Sequence, residues 1–246
     1  MDGPIDLHCH ILPGIDDGAR DIADAVEMAR QAERDGIRVI CATPHIRSDH
    51  DVRIAELPER LAALTGAVER AGCRTLLLGG GEVAETIAAE LSGAELGAVS
   101  LGGGGRWILL EPAPGPLGDT LSGAVDALAG RGFRSVIAHP ERHAGVDLRS
   151  RLARLVEAGA LVQATGAALT DTASQPAMLE LARAGLIHVL GSDSHSAAAG
   201  RPVALSAALQ ILAAVAPIAA DTDWVMSIPR AIVRGSDVTP PFPASP

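Results

Sequence analysis

The sequence predicts an α/β domain built on a parallel sheet with helices packed outside it, and two observations point there. Seven short runs rich in Val, Ile and Leu alternate with longer stretches of helical periodicity, as repeated βα units do. Residues able to bind metal stand at the ends of six of those seven runs, where the strands of a parallel barrel open onto one face. Either a closed or distorted barrel, or an open doubly wound sheet, satisfies the pattern. No G-x-G-x-x-G follows the first strand, so a dinucleotide-binding sheet has little support.

The first strand runs from Ile5 to His10 and continues into Ile11-Leu12-Pro13-Gly14-Ile15-Asp16-Asp17-Gly18. Strand side chains alternate between faces, so His8 and His10 share one and Cys9 takes the other. From Ala19 to Asp35 the apolar residues Ile22, Val26, Ala29 and Ala32 recur at helical spacing, and Gly36 supplies a C-terminal cap. A second strand, Ile37 to Ala42, ends in Thr43-Pro44-His45. Helix 54–71 follows, with Pro58 in its first turn and Gly72 closing it. The third strand, Arg74 to Leu78, runs into Gly79-Gly80-Gly81-Glu82. Residues 83–98 are less regular and partly helical, and the glycine run 102–105 precedes a fourth strand, Trp107 to Leu110, ending in Glu111-Pro112.

Helix 119–130 leads to the strand Ser135 to Ala138 and then to His139-Pro140-Glu141-Arg142. Helix 148–158 leads to Leu161 to Gln163. Helix 176–184 leads to Ile187 to Leu190, with Gly191-Ser192-Asp193-Ser194-His195 beyond it. Helices over 203–215 and near 224–233 complete one domain over residues 1–238. The tail 239–246 carries four prolines and is expected to be disordered.

With 246 residues, 48% of them hydrophobic, the chain can fill one sizeable core. It has no Tyr, so that core falls to Ala, Leu, Val and Ile. A net charge of −10 argues against nucleic acid or an anionic membrane as general partner, since both need a basic surface. A phosphorylated substrate stays open, because bound divalent cations would reverse the local field. Cys9, Cys41 and Cys73 are odd in number and show no C-x-x-C spacing, which fits reduced thiols. No basic-then-apolar leader opens the chain, and charge interrupts each apolar run short of membrane-spanning length. A soluble, cytoplasmic protein without membrane insertion is expected.

Nine candidate ligands fall at the strand ends: His8, His10, Asp17, His45, Glu82, Glu111, His139, Asp193 and His195. H-x-H alone occurs by chance; nine such residues at six strand ends is hard to obtain that way. Asp193-x-His195 repeats the two-per-strand spacing of His8-x-His10. The set exceeds what one four-coordinate ion requires, and mixed nitrogen and oxygen donors suit zinc, manganese or iron better than calcium. A multinuclear centre can clamp a phosphate oxygen and make hydroxide at neutral pH. Phosphoester hydrolysis is the natural chemistry. Nearby, Asp16 suits a turn or supporting position, and Arg47 a solvated loop. His50, His143 and His188 lie off the ligand pattern, in surface or core roles. Glu141 either orients Arg142 or is an exposed carboxylate. The glycine runs 79–81 and 102–105 either approach phosphate or act as flexible connectors, and Cys9 is expected as a small buried hydrophobe.

Together D-L-H-C-H-I-L-P-G-I-D-D-G-A, A-T-P-H, the Glu after G-G-G, L-L-E-P, A-H-P-E-R and G-S-D-S-H resemble the polymerase-and-histidinol-phosphatase family. Within it they look like the bacterial protein-tyrosine phosphatases encoded with capsule and exopolysaccharide genes. The resemblance runs from Ile5 to about Arg234, and its most specific parts are H-x-H-I-L-P-G-I-D-D-G and A-H-P-E-R. It implies a distorted seven-stranded (β/α) barrel, TIM-like, with three divalent metal ions at the C-terminal face of its strands, manganese foremost. One ion would be held by His8, His10, Glu82 and Asp193, a second by bridging Glu82 with Glu111 and His139, and a third by Asp17, His45 and His195. Arg142 and Arg201 would hold the phosphate beside His139, since the guanidinium fork matches phosphate oxygens and keeps its charge.

The implied reaction is hydrolysis of protein phosphotyrosine by a metal-bound hydroxide, with a bacterial tyrosine kinase as partner. Two departures stand out. The family usually places a bulky residue before the bridging Glu, where this chain has Gly81. It also tends to carry Q-x-N-x-x-S after strand six, where this chain reads Gln163-Ala164-Thr165-Gly166-Ala167-Ala168 and lacks those polar groups. A small-molecule phosphatase, such as one acting on histidinol phosphate, would use the same site with a different rim. An amidohydrolase also opens with H-x-H but commonly adds a metal-bridging lysine, and no strand end here offers one. A non-catalytic module of this fold would show eroded ligands, and none is eroded.

Overall fold

Residues 3–143, 145–215 and 224–238 are described by a computed structural model, and the tail expected to be disordered, 239–246, lies outside them. Nine strand segments follow one another among the described residues: β1 (Ile5–Cys9), β2 (Val39–Ala42), β3 (His45–Ile46), β4 (Leu76–Gly79), β5 (Glu82–Ala84), β6 (Trp107–Glu111), β7 (Arg134–Ile137), β8 (Leu161–Thr165) and β9 (Val189–Gly191). Three of them pair in the order β1-β2-β4 and six in the order β3-β5-β6-β7-β8-β9, all parallel. The sheet curls until its last strand meets its first. Cys9 bridges Ser194 in parallel register, Asp193 N donates to His8 O at 2.7 Å, and His10 N donates to Ser194 O at 2.9 Å. The result is a curled, TIM-like parallel α/β fold.

Where single second and third strands were expected, the chain forms two segments each. Pro44 has no N–H to give a ladder, and β2 ends before it; its carbonyl accepts from Glu82 N at 2.9 Å, which starts the next section. The matching break in the third strand falls at Gly80 and Gly81. A Cβ on Gly80 would lie 3.1 Å from Thr43 Cγ2, and one on Gly81 2.8 Å from Ile46 Cγ1 and 3.0 Å from Val99 Cβ. Ile46 and Val99 thus fill the space that a bulky residue before Glu82 would need.

The helices lie between strands as the periodicity predicts. α1 (Ile22–Asp35) starts at Asp21, whose carboxylate accepts from Asp24 N, and stops at Gly36 in the left-handed region. α2 (Leu57–Arg70) carries Pro58 in its first turn, behind a 3-10 turn at Ile54–Glu56. α3 (Gly93–Ala98) is set by a capping box of Ser92 and Glu95. α4 (Asp119–Gly130), α5 (Leu148–Glu157), α6 (Gly166–Thr170), α7 (Gln175–Arg183), α8 (Ser206–Val215) and α9 (Trp224–Val233) complete the set. The five-residue α6 was not expected, because so short a run shows no period. α8 starts later than predicted, where Asp35 accepts from Leu205 N at 2.6 Å and Ser206 N at 3.0 Å. No helix among the described residues is long and apolar enough to cross a membrane.

The core is mostly aliphatic, with Leu7, Met28, Ile40, Leu64, Leu96 and Trp107–Leu110 fully buried. All three cysteines are buried and free, and burial, helped by Asp6, pushes the Cys41 thiol up to about 12. The 102–105 glycine run neither approaches the strand-end site nor serves as a loose connector. It seats the end of α9, where a Cβ on Gly102 would lie 2.5 Å from Val233 Cβ and one on Gly104 2.5 Å from Gly235 N. Gly104→Ala is therefore expected to destabilise the fold by about 1–3 kcal/mol through overpacking. Thermal melting checks this, with metal content unchanged from the parent protein; an unshifted melt would refute it.

Candidate metal centre

The strand ends bring the nine candidate ligands into one cluster, organised around Glu82 at the start of β5. Glu82 Oε2 lies 2.9 Å from His45 Nδ1 and 3.3 Å from both His8 Nε2 and His10 Nε2. Its other oxygen, Oε1, accepts from His139 Nε2 at 2.8 Å. Asp193 Oδ1 lies 3.5 Å from His8 Nε2 and 3.6 Å from His10 Nε2. Asp17 Oδ1 stands 3.4 Å from both His45 Nε2 and His195 Nε2, and Glu111 Oε2 is 3.7 Å from His45 Nδ1.

Donor atoms fall into three overlapping groups, each within 4.8 Å: His10, Asp17, His45 and His195; His8, His10 and Glu82; and His45, Glu82 and Glu111. Asp193 adjoins the second. His45 stands with Glu82 and Glu111 in the third, while His139 reaches the opposite oxygen of Glu82. Four atoms of the cluster residues, Glu82 Oε2, Asp193 Oδ1, His45 Nδ1 and His139 Nδ1, are buried without a well-aligned hydrogen-bond partner. Leaving such groups unsatisfied is costly, and even Glu82 Oε2 and His45 Nδ1, 2.9 Å apart, do not align as a hydrogen bond. A cation there satisfies them, and the mixed imidazole and carboxylate set suits a transition-metal ion. The residues fit the group.

The backbone is strained at two of these positions. His139 and Asp193 hold φ of 33° and 49°, a region that residues other than glycine seldom occupy and that costs free energy where it persists. Close approach matters as well: a Cβ on Gly191 would lie 2.5 Å from His8 Cβ, so only glycine lets β9 come this near β1.

Several side chains orient the ligands. Asp16 accepts from His10 Nδ1 at 2.9 Å, from His45 N at 3.0 Å and from Gly18 N at 3.0 Å. Gln163 Oε1 accepts from His8 Nδ1 at 3.0 Å, which leaves Nε2 as the ring nitrogen available to a cation beside Glu82 and Asp193. Sequence reading missed that role. The available signal was a lone amide inside a buried apolar strand, where an unpaired polar group would be costly. Two other readings need correction. Arg47 is not a solvated loop residue, since its Nη1 lies 3.2 and 3.3 Å from the two oxygens of Glu111. Glu141 neither orients Arg142 nor stands exposed; its Oε1 accepts from Thr165 N at 3.0 Å and ties the loop after β7 to the end of β8.

Arg142 and Arg201 meet at the Asp193 carboxylate. Arg142 Nη2 donates to Asp193 Oδ2, and Arg201 Nη2 donates to the same oxygen at 2.9 Å and to the Asp193 carbonyl at 2.8 Å. Both arginines line an open cleft of about 520 Å³ above the cluster, with Asp17, His45, Glu111 and His195 on its floor and walls. The remaining histidines stay outside the cluster. His188 is buried and pushed down to about 4 by that burial, and its Nδ1 accepts from Val162 N. His143 Nδ1 pairs with Gly115 O, and His50 stacks on His45 at 5.0 Å between ring centres.

Charges in the cluster are interdependent. Burial pulls His10 down, but its bond to Asp16 and the Glu82 carboxylate outweigh this and push it up to about 10. Against burial, the charge on His8 and the close approach of His10, His139 and His45 hold Glu82 well below the usual carboxylate range. Burial and then the charge on His10 push His195 down to about 4. At pH 7 His10 therefore carries a proton that an incoming cation must displace. Metal loading is expected to release protons, and apparent affinity to rise with pH. Titration calorimetry in two buffers of different ionisation heat checks this; equal heats in both would contradict it.

The curled parallel sheet and its histidine–carboxylate cluster define a TIM-like α/β protein with a candidate multinuclear metal centre at its strand ends. The chain belongs to the family described as capsular polysaccharide synthesis, CpsB/CapC, which matches residues 4–228. It is 36% identical over 197 residues to the tyrosine-protein phosphatase YwqE of Bacillus subtilis (strain 168), covering 78% of this chain and 77% of that protein. CapC of Staphylococcus aureus is 26% identical over 199 residues, with the same 78% and 77% covered. A solved structure from the pair YwqE of Bacillus subtilis and CpsB of Streptococcus pneumoniae, described as unique metal-dependent tyrosine phosphatases, superposes with a TM-score of 0.83. It shares 30% identity and covers 98% of each chain.

Proposed function

We propose that this chain is a metal-dependent phosphotyrosine-protein phosphatase. The observation that carries the reading is the placement of three overlapping donor groups beneath a cleft rimmed by two arginines. Likeness to YwqE, itself named a tyrosine-protein phosphatase, supports the substrate class.

Three divalent ions, manganese first, would be held by His8, His10, Glu82 and Asp193; by Glu82, Glu111 and His139; and by Asp17, His45 and His195. Such ions supply charge to phosphoryl oxygens and an activated water at neutral pH. The chain's own residues do the rest. Arg142 and Arg201 bring two fixed positive charges to the cleft, and their forks suit the oxygens of a phosphate. Asp16 and Gln163 hold the rings of His10 and His8 in register, so the cluster is formed before substrate arrives. Tyrosine departs as a phenol of pKa about 10, a better leaving group than an aliphatic alcohol, so concentrated positive charge serves the reaction well.

Counting β2 with β3 and β4 with β5 as one strand each gives seven strands from the nine segments, which supports a distorted (β/α) barrel. One domain over 1–238 in the cytoplasm fits that count and the three free thiols. A bacterial tyrosine kinase is the partner we propose, its tyrosine-rich tail being the substrate; membership of a capsular polysaccharide synthesis family is compatible with that role.

Phosphate release by metal-stripped, manganese-reloaded protein from a phosphotyrosine peptide and from histidinol phosphate, side by side, tests the reading. Strong preference for the peptide, lost in His139→Ala, is expected. Preference for histidinol phosphate would keep the site and overturn the substrate.

A further inference from the structure

The cleft shares a wall with a second space. Ile46 and Arg47 follow the ligand His45, and from them a groove of about 780 Å³ runs between segments 46–58 and 87–98. Its lining is apolar over most of its length, including Val52, Ile54, Pro58, Ile87 and Leu91. Val52, Ile54, Ile87 and Leu91 pack on the core yet stay partly exposed. Arg47 lines this groove, the cleft above the cluster, and a smaller recess of about 260 Å³ that also touches Glu111. Arg47 is thus a wall common to all three spaces.

We propose that the groove holds the polypeptide flanking the phosphotyrosine and selects apolar side chains there, an assignment that rests on the phosphatase reading above. A phosphorylated side chain reaching the cluster obliges its own backbone to cross the rim, and the groove is an apolar way out that begins beside a ligand. An extended peptide advances about 3.3 Å per residue and turns alternate side chains to one face, so a few residues suffice to enter a space of this size. Charge favours apolar over acidic flanks: the chain carries a net −10, the groove's cations Arg47 and Arg53 are already paired with Asp49, Glu111 and Glu56, and Glu90 and Glu95 line it as well. The same net charge opposes a second copy of the chain as occupant.

Ala94 lines the groove from the exposed side of α3 and is not part of the lining of the cleft above the cluster, so Ala94→Trp fills the groove with little risk to the fold. The test compares kcat/KM of manganese-loaded protein on a small aryl phosphate, a phosphotyrosine peptide flanked by leucines, and the same peptide flanked by glycines. The leucine peptide is expected to exceed the glycine peptide by about tenfold, equivalent to about 1.4 kcal/mol. Ala94→Trp should erase that preference and leave aryl phosphate turnover unchanged. Equal rates on the two peptides in the parent protein would overturn the proposal, as would a variant that loses aryl phosphate and peptide turnover alike. A concentration-dependent dimer that Ala94→Trp dissolves would give the groove to a second copy instead. Failure of the phosphatase reading is separately visible, as no turnover of any of the three substrates.

Discussion

Glu82→Gln is expected to lower phosphotyrosine turnover by about 10³-fold or more, about 4 kcal/mol in transition-state stabilisation, and to cost the protein bound metal. The carboxylate is fully buried, with four imidazoles within 3.3 Å of its two oxygens. Glutamine keeps the volume but removes the negative charge shared by two of the three donor groups. The same charge raises His8 and His10 against the effect of burial. Without it His8 loses its strongest support, while His10 keeps Asp16, so the folded chain survives with a weaker claim on cations. Metal analysis beside phosphate release reads the outcome, with circular dichroism as the folding control. A variant that folds, keeps parental metal content and turns over normally would remove Glu82 from the centre.

Arg142→Ala is expected to do something different: spare the metal and lose the phosphate. Its guanidinium donates to Asp193 from a side chain 40% exposed at the cleft, so one face is fixed and the other open. Asp193 is held below its ordinary value, against burial, by the charges of His8, Arg142 and Arg201 together. With Arg142 gone, Arg201 still stands 2.9 Å from the same oxygen, and the carboxylate stays ionised for its cation. The expected loss in kcat/KM is about 10²–10³-fold, as for removal of one donor to developing charge, with metal content unchanged. Arg142→Lys should recover only part of it, because an ammonium cannot reproduce the planar fork. Loss of metal in Arg142→Ala would instead make this residue a prop for Asp193.

Much of this was legible because strand ends are legible. The candidate ligands stand at or soon after the ends of short apolar runs, Asp17 in the loop beyond the first, and parallel strands bring such positions to one face whatever the distance in sequence. Gly36, Pro58 and Gly72 marked helix ends through backbone requirements that need no tertiary knowledge. What escaped depends on packing between distant segments. Arg47 lies two residues beyond a ligand, but only the path of the 47–53 loop decides whether it meets Glu111 or water. The break of the second and third strands rests on Gly80 and Gly81 passing Thr43 and Ile46, contacts invisible within either segment. Gln163 was read for what the sixth strand's motif lacked, and its bond to His8 across the sheet was overlooked. The 102–105 glycines were assigned to phosphate or to flexibility, while their neighbours are Val233 and Gly235, more than a hundred residues away.

The most direct measurement of the central claim is phosphate release from a phosphotyrosine peptide by one preparation in three states: as purified, stripped of metal, and reloaded with manganese, with ions per chain counted in each. The account predicts activity that vanishes on stripping and returns in step with reloading toward three ions per chain. Undiminished activity in the stripped protein would contradict it.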